Sequence, residues 1–176
     1  MIFEKYLKPD LMLNTYDELT PEILTQNGIN YLICDIDNTL VTYDDEEPTK
    51  DVLIWMDKLQ SAGITIAFVS NNNKERVDRF NRKLQYTAYA KSHKPLTGSV
   101  KAAMKDMGAD KKSAALLGDQ LLTDAAAANF AGIYSIIVPP IKDKKNIFFK
   151  LKRKIEKPYI RKFREERQIS SCSLMK

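Results

Sequence analysis

The stretch YLICDIDNTLV, residues 31–41, is an apolar run that ends in two aspartates one residue apart. Its first four residues fit a strand that is buried on both faces, as in the interior of a parallel sheet. Neither Asp35 nor Asp37 has an evident packing reason to follow such a strand, although a turn with local Asx hydrogen bonds is one explanation. The other explanation is an acidic site where the strand ends.

Similar apolar runs recur along the chain and alternate with helical patterns. Thr49 can cap a helix that Gly63 ends, and Pro95 can open another that Gly108 ends. This order predicts an α/β fold, a doubly wound, Rossmann-like open parallel sheet of about five strands. The predicted strands are residues 31–34, 64–69, 87–90, 114–117 and 134–138. The other predicted helices are residues 20–28, a segment around Val77, Phe80 and Leu84, and residues 124–131.

The length of 176 residues and the hydrophobic content of 44% predict one well-filled core. We expect a domain over residues 1–141, with residues 1–28 as a leader packed on it, and a tail over residues 142–176. Cys34 and Cys172 lie far apart, which argues against a disulfide framework and favours the reducing cytoplasm. The sequence has no apolar stretch near the roughly 18 residues of a membrane span, and no signal peptide is predicted.

The tail is strongly basic, whereas the body is mildly acidic. Residues 142–167 contain twelve Lys or Arg and four acids, a charge of +8 in a chain whose total is +5. The rest of the chain therefore carries −3. Such a shift in composition, close to the Pro139-Pro140 pair, indicates a separate functional segment.

Apolar residues recur in the tail at intervals of three or four, and Pro158 is predicted to split it into two short helices. A basic helix with such a stripe is typical of a membrane-interface anchor. The alternative is that the stripe packs on the body while the charges form a solvated face. An RNA-binding tail is disfavoured because no recognised module interleaves aromatics for base stacking. The residues of the stripe are Phe148, Leu151 or Lys152, Ile155, Tyr159 and Phe163.

Two acids are predicted to meet at one edge of the sheet. Asp35 is the first residue after the first predicted strand, and Asp119 follows the fourth in the same way. If these strands are neighbours, the carboxylates converge at the carboxyl ends, where open sheets of this kind bind ligands. Carboxylates packed in a cleft repel each other unless a cation neutralises them. Mg²⁺, which favours oxygen ligands and keeps several waters, is the expected ion.

Four short motifs, in order, resemble those of the haloacid-dehalogenase-like phosphohydrolases. They are DIDNT at residues 35–39, VSNN with Ser70, HKP with Lys94, and GDQLLTD with Asp119 and Asp124. The resemblance covers roughly residues 29–140 and implies a phosphatase with the fold predicted above. It also implies catalysis through a phosphorylated aspartate.

The resemblance implies roles that the residue types also suit. Asp35 is the expected nucleophile, because a carboxylate can carry a phosphoryl group as a readily hydrolysed acyl phosphate. Asp37 is the expected general acid and base, and its main-chain carbonyl is expected to contact the metal. Lys94, which we prefer to Lys91, is expected to stabilise the charge of the transferring phosphoryl group.

The remaining motif residues are expected to bind phosphate or the metal. Ser70 and the nearby Asn71 amide, at a strand-to-helix turn, are expected donors to phosphate oxygens, although Ser70 could also serve as a helix cap. Asp124 is expected to orient Lys94 from outside the metal's ligand set. Direct ligation by Asp124 and simple stabilisation of a helix N-terminus are the alternatives. The expected metal ligands are Asp35, Asp37 and Asp119.

The spacing of the motifs leaves no room for the cap domain that many relatives insert. Between Asp37 and Ser70 there is only a short flap and one helix, and between Ser70 and Lys94 a helix and a short strand. The predicted cleft is therefore open. An open cleft suits a substrate that is presented on a large body, such as a protein, a nucleic-acid end or a lipid head group.

A closer resemblance is to the capless subclass IIIA branch called YqeG-type, which shares the DIDNTLV, SNN, KP and GDQLLTD pattern. Mitochondrial and plastid members of that branch act as phosphatidylglycerophosphate phosphatases. The resemblance implies removal of the terminal phosphate from phosphatidylglycerophosphate, an anionic phospholipid, with the tail as a peripheral contact on the inner face of the cell membrane. The alternatives are a phosphoprotein or a soluble phosphate ester as substrate and, in another class, an RNA- or ribosome-binding module that uses the basic tail.

Overall fold

The computed structural model describes residues 4–142 and 147–173, with side chains described for residues 4–142 and 150–166. Its strands are β1 (Leu11–Met12), β2 (Tyr31–Cys34), β3 (Thr65–Val69), β4 (Thr87–Tyr89), β5 (Ala114–Gly118) and β6 (Tyr134–Ile137). They form one parallel sheet in the order β1-β6-β5-β2-β3-β4.

Helices connect successive strands and cover the sheet. They are α1 (Glu4–Leu7), α2 (Pro21–Gln26), α3 (Lys50–Ser61), α4 (Lys74–Asn81), α5 (Gly98–Met107), α6 (Ala126–Ala131) and α7 (Ile147–Ser173). A 3-10 turn (Tyr16–Glu18) precedes α2, and a π-helical turn (Leu121–Ala125) leads directly into α6. Thr20 and Thr49 cap α2 and α3, because their side-chain oxygens accept hydrogen bonds from the main chain three residues on.

Strand β2 lies at the centre of two hydrophobic layers. Its residues alternate between the faces of the sheet: Leu32 and Cys34 pack with α3 and α4, whereas Ile33 packs with α5 and α6. The sheet is therefore covered by helices on both sides, which confirms the predicted doubly wound fold. Strands β3 and β5 flank β2, with Cys34 opposite both Phe68 and Leu117. The first and fourth predicted strands are thus neighbours, as the convergence of their acids requires.

The sheet has one strand more than the five predicted. Strand β1 is only two residues long, is half-buried, and pairs at the edge with β6, so it lacks the buried apolar run of the other strands. It lies in the N-terminal leader, which is thereby part of the sheet.

Helix α5 begins at Gly98 rather than at Pro95, where the sequence predicted its start. The main-chain N–H of Leu96 bonds to the carbonyl of His93, which forms a turn, and the first helical bond runs from Lys101 to Thr97. The residues before this turn follow a hydrogen-bonded path that holds Lys94 at the edge of the sheet, so the helix cannot start until the chain has left that edge.

In the described part of the tail, Ile147–Ser173 form one continuous helix, α7, and the predicted split at Pro158 is wrong. A proline inside a helix removes one hydrogen bond and crowds the preceding turn. Here the residues on both sides of it are held by the same surface of the body, because Glu156 and Phe163 are both buried. Phe163 packs with Leu7, Leu121 and Ile137.

Only part of the predicted apolar stripe faces the body. Tyr159 is half-buried beside Phe163, whereas Leu151 and Ile155 are 57% and 46% exposed. The side chain of Phe148 lies outside the described residues. None of the helices in the described part of the chain is long and apolar enough to cross a membrane.

The predicted absence of a cap domain is confirmed. The chain passes from β2 to α3 through one loop and from β3 to β4 through α4 alone. The carboxyl edge of the sheet, where the loops after β2, β3 and β5 meet, therefore has no cap domain over it.

Candidate active site

Three strand ends bring the predicted site residues together. Asp35 follows β2, Ser70 follows β3 and Asp119 follows β5, and β2 lies between the other two strands. The main-chain N–H of Asp35 donates to the carbonyl of Leu117 at 2.8 Å, which extends the sheet pairing up to the site. A cavity of about 250 Å³ opens there, and Asp35, Asp37, Ser70, Lys94 and Asp124 line it.

The acids at this edge form a compact cluster. One carboxyl oxygen each of Asp35, Asp119 and Asp124 lies within 4.8 Å of the others, and all three residues are buried. Burial, aided by the neighbouring carboxylates, raises the pKa of Asp35 to about 7 and that of Asp119 to about 8. Three buried carboxylates are the donor set that a hard divalent cation such as Mg²⁺ prefers. The residues therefore fit a metal.

The cluster differs from the predicted ligand set in one respect. The side chain of Asp124 belongs to it, whereas the side chain of Asp37 does not. Asp37 was expected to contact the metal through its main-chain carbonyl, so its carboxylate is not needed as a metal ligand. Asp124 also accepts hydrogen bonds from the Gln120 main chain at 3.1 Å and the Thr123 hydroxyl at 3.2 Å. These bonds fix its carboxylate at the start of the π-helical turn.

A glycine makes room for Asp124. A Cβ atom at Gly118, the last residue of β5, would lie 2.3 Å from both Cβ and Cγ of Asp124. Such a contact is far inside van der Waals distance, so only glycine allows the aspartate to fold back over the strand end.

Lys94 is the cation on the β3 side of the cluster. Its Nζ donates to Asp35 Oδ1 at 2.8 Å and to the carbonyl of Val69 at 2.7 Å, and it lies 2.7 Å from Asp124 Oδ1. Burial opposes its charge, but Asp124 and Asp35 outweigh this effect and raise the pKa of the ammonium group. Lys91, the alternative considered from the sequence, is exposed.

Asn71 holds the loop that carries Lys94. Its side-chain oxygen accepts from the main-chain N–H of Lys94 and from the Ser92 hydroxyl, both at 2.7 Å, and its side-chain nitrogen donates to the Lys94 carbonyl at 3.2 Å. The side chain of Asn71 is therefore engaged with protein. Ser70 is buried against the cavity, and its hydroxyl oxygen accepts from the main chain of Asn72 at 3.1 Å, which leaves its hydrogen available to a ligand.

Asp37 is held by two side chains that the sequence analysis missed. Asn72 donates to its Oδ2 at 3.0 Å, and Arg76 donates to its Oδ1 through Nε at 3.1 Å with Nη2 at 3.0 Å. Asn72 belongs to the SNN motif and could have been found there. Arg76 lies in α4, 39 residues from Asp37, and no local pattern links the two.

Helix α7 supplies a second cation to the cluster. Arg153 approaches Asp119 Oδ2 to 2.5 Å and donates to the Asp119 main-chain carbonyl at 2.9 Å. Glu156 accepts from the Leu122 main chain at 2.9 Å and pairs with Arg153 at 3.3 Å. Lys152 lines the catalytic cavity. The sequence held one indication of this docking, since Glu156 is the only acid in residues 144–164.

Two further side chains near the acids, Cys34 and Tyr43, are neutral. Cys34 is fully buried below the site, and burial raises the pKa of its thiol, so it packs as a small hydrophobe. Tyr43, in the flap after β2, lines the cavity, and burial together with the nearby acids raises the pKa of its hydroxyl. It remains a neutral hydrogen-bonding group at the cavity wall.

Comparison with known proteins identifies the same architecture. The family model described as haloacid dehalogenase-like hydrolase matches residues 5–138. The "Probable phosphatase YqeG" of Bacillus subtilis (strain 168) is 31% identical over 156 residues, which covers 89% of this chain and 91% of that protein.

Two solved structures share the fold at low identity. An uncharacterized protein from Listeria monocytogenes serotype 4b has a TM-score of 0.54 at 18% identity, covering 67% of this chain and 85% of its own. The cobalt-bound deoxy-D-mannose-octulosonate 8-phosphate phosphatase (YrbI) from Haemophilus influenzae has a TM-score of 0.53 at 17% identity, covering 65% and 70%. The family model and the Bacillus subtilis relative confirm the predicted family, and the two structures confirm the fold.

Proposed function

Because this chain belongs to the haloacid dehalogenase-like hydrolase family and is a phosphatase, we propose that it hydrolyses a phosphomonoester through a phosphorylated Asp35. The proposed substrate is phosphatidylglycerophosphate, and the product is phosphatidylglycerol. The reaction would take place at the inner face of the cell membrane. The observation that carries the chemistry is the buried cluster of Asp35, Asp119 and Asp124 beside Lys94.

In the first step, a carboxylate oxygen of Asp35 attacks phosphorus and the bond to the leaving oxygen breaks. Asp37 gives a proton to that oxygen, so phosphatidylglycerol departs as an alcohol. Arg76 and Asn72 hold Asp37 from the side of α4, which limits where its carboxyl group can point. Lys94 and Ser70 face the phosphoryl oxygens, whose negative charge is spread in the transition state.

In the second step, Asp37 takes a proton from a water molecule, and that water attacks the phosphorus of the acyl phosphate. The P–O bond to Asp35 breaks, which releases inorganic phosphate and restores the carboxylate. A divalent cation bound by Asp35, Asp119 and the Asp37 carbonyl, with Asp124 as a further candidate, would neutralise charge on the phosphoryl group.

The lipid assignment rests on the YqeG-type resemblance, the open site and the exposed apolar residues at its rim. Leu96 lies two residues after Lys94 and is 68% exposed. Ile141, 48% exposed, donates its main-chain N–H to the loop after β2. Leu151 and Ile155 face outward from α7 beside the exposed Lys150 and Lys154. Apolar side chains with flanking cations are the features by which a peripheral protein meets an anionic lipid surface.

Phosphate release from a panel of phosphomonoesters tests the function. We expect turnover of phosphatidylglycerophosphate that needs Mg²⁺ and stops with a chelator. Asp35→Asn should lower it by roughly 10⁴-fold while the circular dichroism spectrum stays that of the native protein. Faster release from a phosphopeptide or a soluble sugar phosphate than from the lipid would replace the proposed substrate and keep the chemistry.

Membrane contact needs a test other than deletion of the tail, because α7 packs on the body through Glu156 and Phe163. The double variant Leu151→Ser with Ile155→Ser should reduce sedimentation with phosphatidylglycerol vesicles. Its matched control changes two exposed apolar residues of α3, Leu53→Ser with Ile54→Ser. Equal sedimentation of the two variants and the unchanged protein would show that the rim of the site does not bind the membrane.

A further inference from the structure

A groove of about 250 Å³ lies between helix α7 and the neighbouring edge of the sheet. Its apolar floor combines the ends of β1 and β6 with one residue of the helix. The floor consists of Met12, Ile137, Val138, Ile160 and the Pro139-Pro140 pair.

Three cations of α7 line the same groove. Arg153, Lys157 and Arg164 recur at intervals of four and seven residues, which places them on one stripe of the helix together with Ile160. Arg153 is already paired with Asp119 and Glu156. Lys157 and Arg164 are exposed, and neither forms an ion pair with any side chain that the structure describes. The groove thus joins an apolar surface to two cations with no acidic partner in the described chain.

The groove and the catalytic cavity share a wall. Asp119 and Arg153 line the groove, whereas their chain neighbours Gln120 and Lys152 line the catalytic cavity. Lys157 lies one turn of α7 beyond Arg153, a rise of about 6 Å along the helix. Among the groove's cations, Lys157 follows Arg153 along α7, so a ligand that extends from the cavity into the groove can meet it.

We infer that this groove binds an anionic phospholipid, with its phosphodiester between Lys157 and Arg164 and part of an acyl chain on the apolar floor. That this lipid is the substrate itself rests on the function proposed above. The apolar floor of the groove suits a lipid better than a sugar phosphate, because a bound sugar would leave that floor in contact with water. The charge of the groove suits an anionic lipid better than a zwitterionic one, because Lys157 and Arg164 would otherwise face a positively charged choline group.

Binding of a monomeric lipid tests the inference without a membrane and without turnover. The probe is dihexanoyl phosphatidylglycerol below its micelle-forming concentration, titrated calorimetrically into the full chain. The double variant Lys157→Gln with Arg164→Gln should bind about tenfold more weakly, as for two partly exposed charge contacts. The matched control, Lys101→Gln with Lys105→Gln, removes the same charge from exposed positions of α5 and should bind like the unchanged protein.

Two further ligands distinguish the contribution of the head group to binding from that of the acyl chains. Dibutyryl phosphatidylglycerol should bind more weakly than the dihexanoyl lipid, by about fourfold for each methylene group that the groove would have covered. Dihexanoyl phosphatidylcholine should bind more weakly than its phosphatidylglycerol counterpart. Equal affinities for the two head groups, or equal loss in the two double variants, would overturn the inference.

The outcome is separable from that of the proposed function. If the lipid binds as expected but phosphatidylglycerophosphate is not hydrolysed, the groove stands and the substrate proposal fails. If phosphatidylglycerophosphate is hydrolysed and the Lys157 and Arg164 double variant binds and turns over lipid like the control, the groove fails and the substrate proposal stands.

Discussion

Two cations flank the acidic cluster, and they differ in origin and in setting. Lys94 comes from a loop at the edge of the sheet, its side chain is 2% exposed, and it faces three oxygen acceptors. Arg153 comes from α7, its side chain is 22% exposed, and it contacts Asp119, whereas Lys94 contacts Asp35 and Asp124. When all three carboxyl groups are ionised, the two cations leave the cluster negative, and a divalent ion would favour that ionised state. The buried cation lies within the acidic cluster, and the more exposed one links the cluster to the tail.

The comparison predicts the largest loss for Lys94→Met, which keeps the length of the side chain and removes its charge. Asp35 and Asp124 would lose their shared partner, and the transferring phosphoryl group would lose a cation. We expect kcat to fall by roughly 10³-fold. Lys91→Met, on the same loop but exposed, is the matched control and should retain the activity of the unchanged protein. A similar fall in kcat in Lys94→Met and Lys91→Met would contradict the special role of Lys94.

An intermediate loss of activity is expected for Gly118→Ala. This change disturbs Asp124, the partner of Lys94, without changing any charge. The added methyl group would lie 2.3 Å from the Asp124 side chain, so Asp124 must leave its present position beside Lys94. We expect a stability loss of about 1–3 kcal/mol in denaturant unfolding, as for an overpacked core, together with a reduced kcat.

Gly98→Ala is the control for Gly118→Ala. A Cβ there meets nothing within 4 Å, and the residue opens α5. Alanine at that position should leave activity intact and raise stability slightly, by about 0.5–1 kcal/mol. If Gly118→Ala behaves in the same way, Asp124 is not held where the structure places it.

The smallest effect is expected for Arg153→Gln. Because Arg153 contacts a metal ligand with a charge of the same sign as the metal, its removal should tighten Mg²⁺ binding by about 1 kcal/mol, or roughly fivefold. Calorimetric titration with Mg²⁺ measures this change without turnover, and Arg161→Gln is the control on the outward face of α7. Weaker Mg²⁺ binding in Arg153→Gln would mean that the guanidinium supports the metal site instead of competing with it.

The two sides of the cluster also differ in how far sequence predicts them. Asp35 and Asp119 each follow a buried apolar run, and the carboxyl ends of neighbouring parallel strands meet at one edge, so local patterns and one topological rule bring them together. Lys94 follows from a motif at the same edge. The fold, its helical layers and the acidic cluster could therefore be predicted.

The contacts that could not be predicted join distant parts of the chain. Arg153 lies 34 residues from Asp119, and Arg76 lies 39 residues from Asp37. Each pairing depends on where a whole helix docks, which no local pattern specifies. The continuity of α7 through Pro158 has the same cause, since the surface of the body supports the helix on both sides of the proline. Strand β1 was missed because a two-residue edge strand has no periodicity to read.

The central claim is that Asp35 accepts phosphorus beside the clustered acids, and acid quenching during turnover tests it most directly. Mass spectrometry of the digested protein should find one phosphoryl group on the peptide that contains Asp35, and none in Asp35→Asn. The label should disappear when the substrate is exhausted. A phosphoryl group on another residue would contradict the account, as would full turnover by Asp35→Asn.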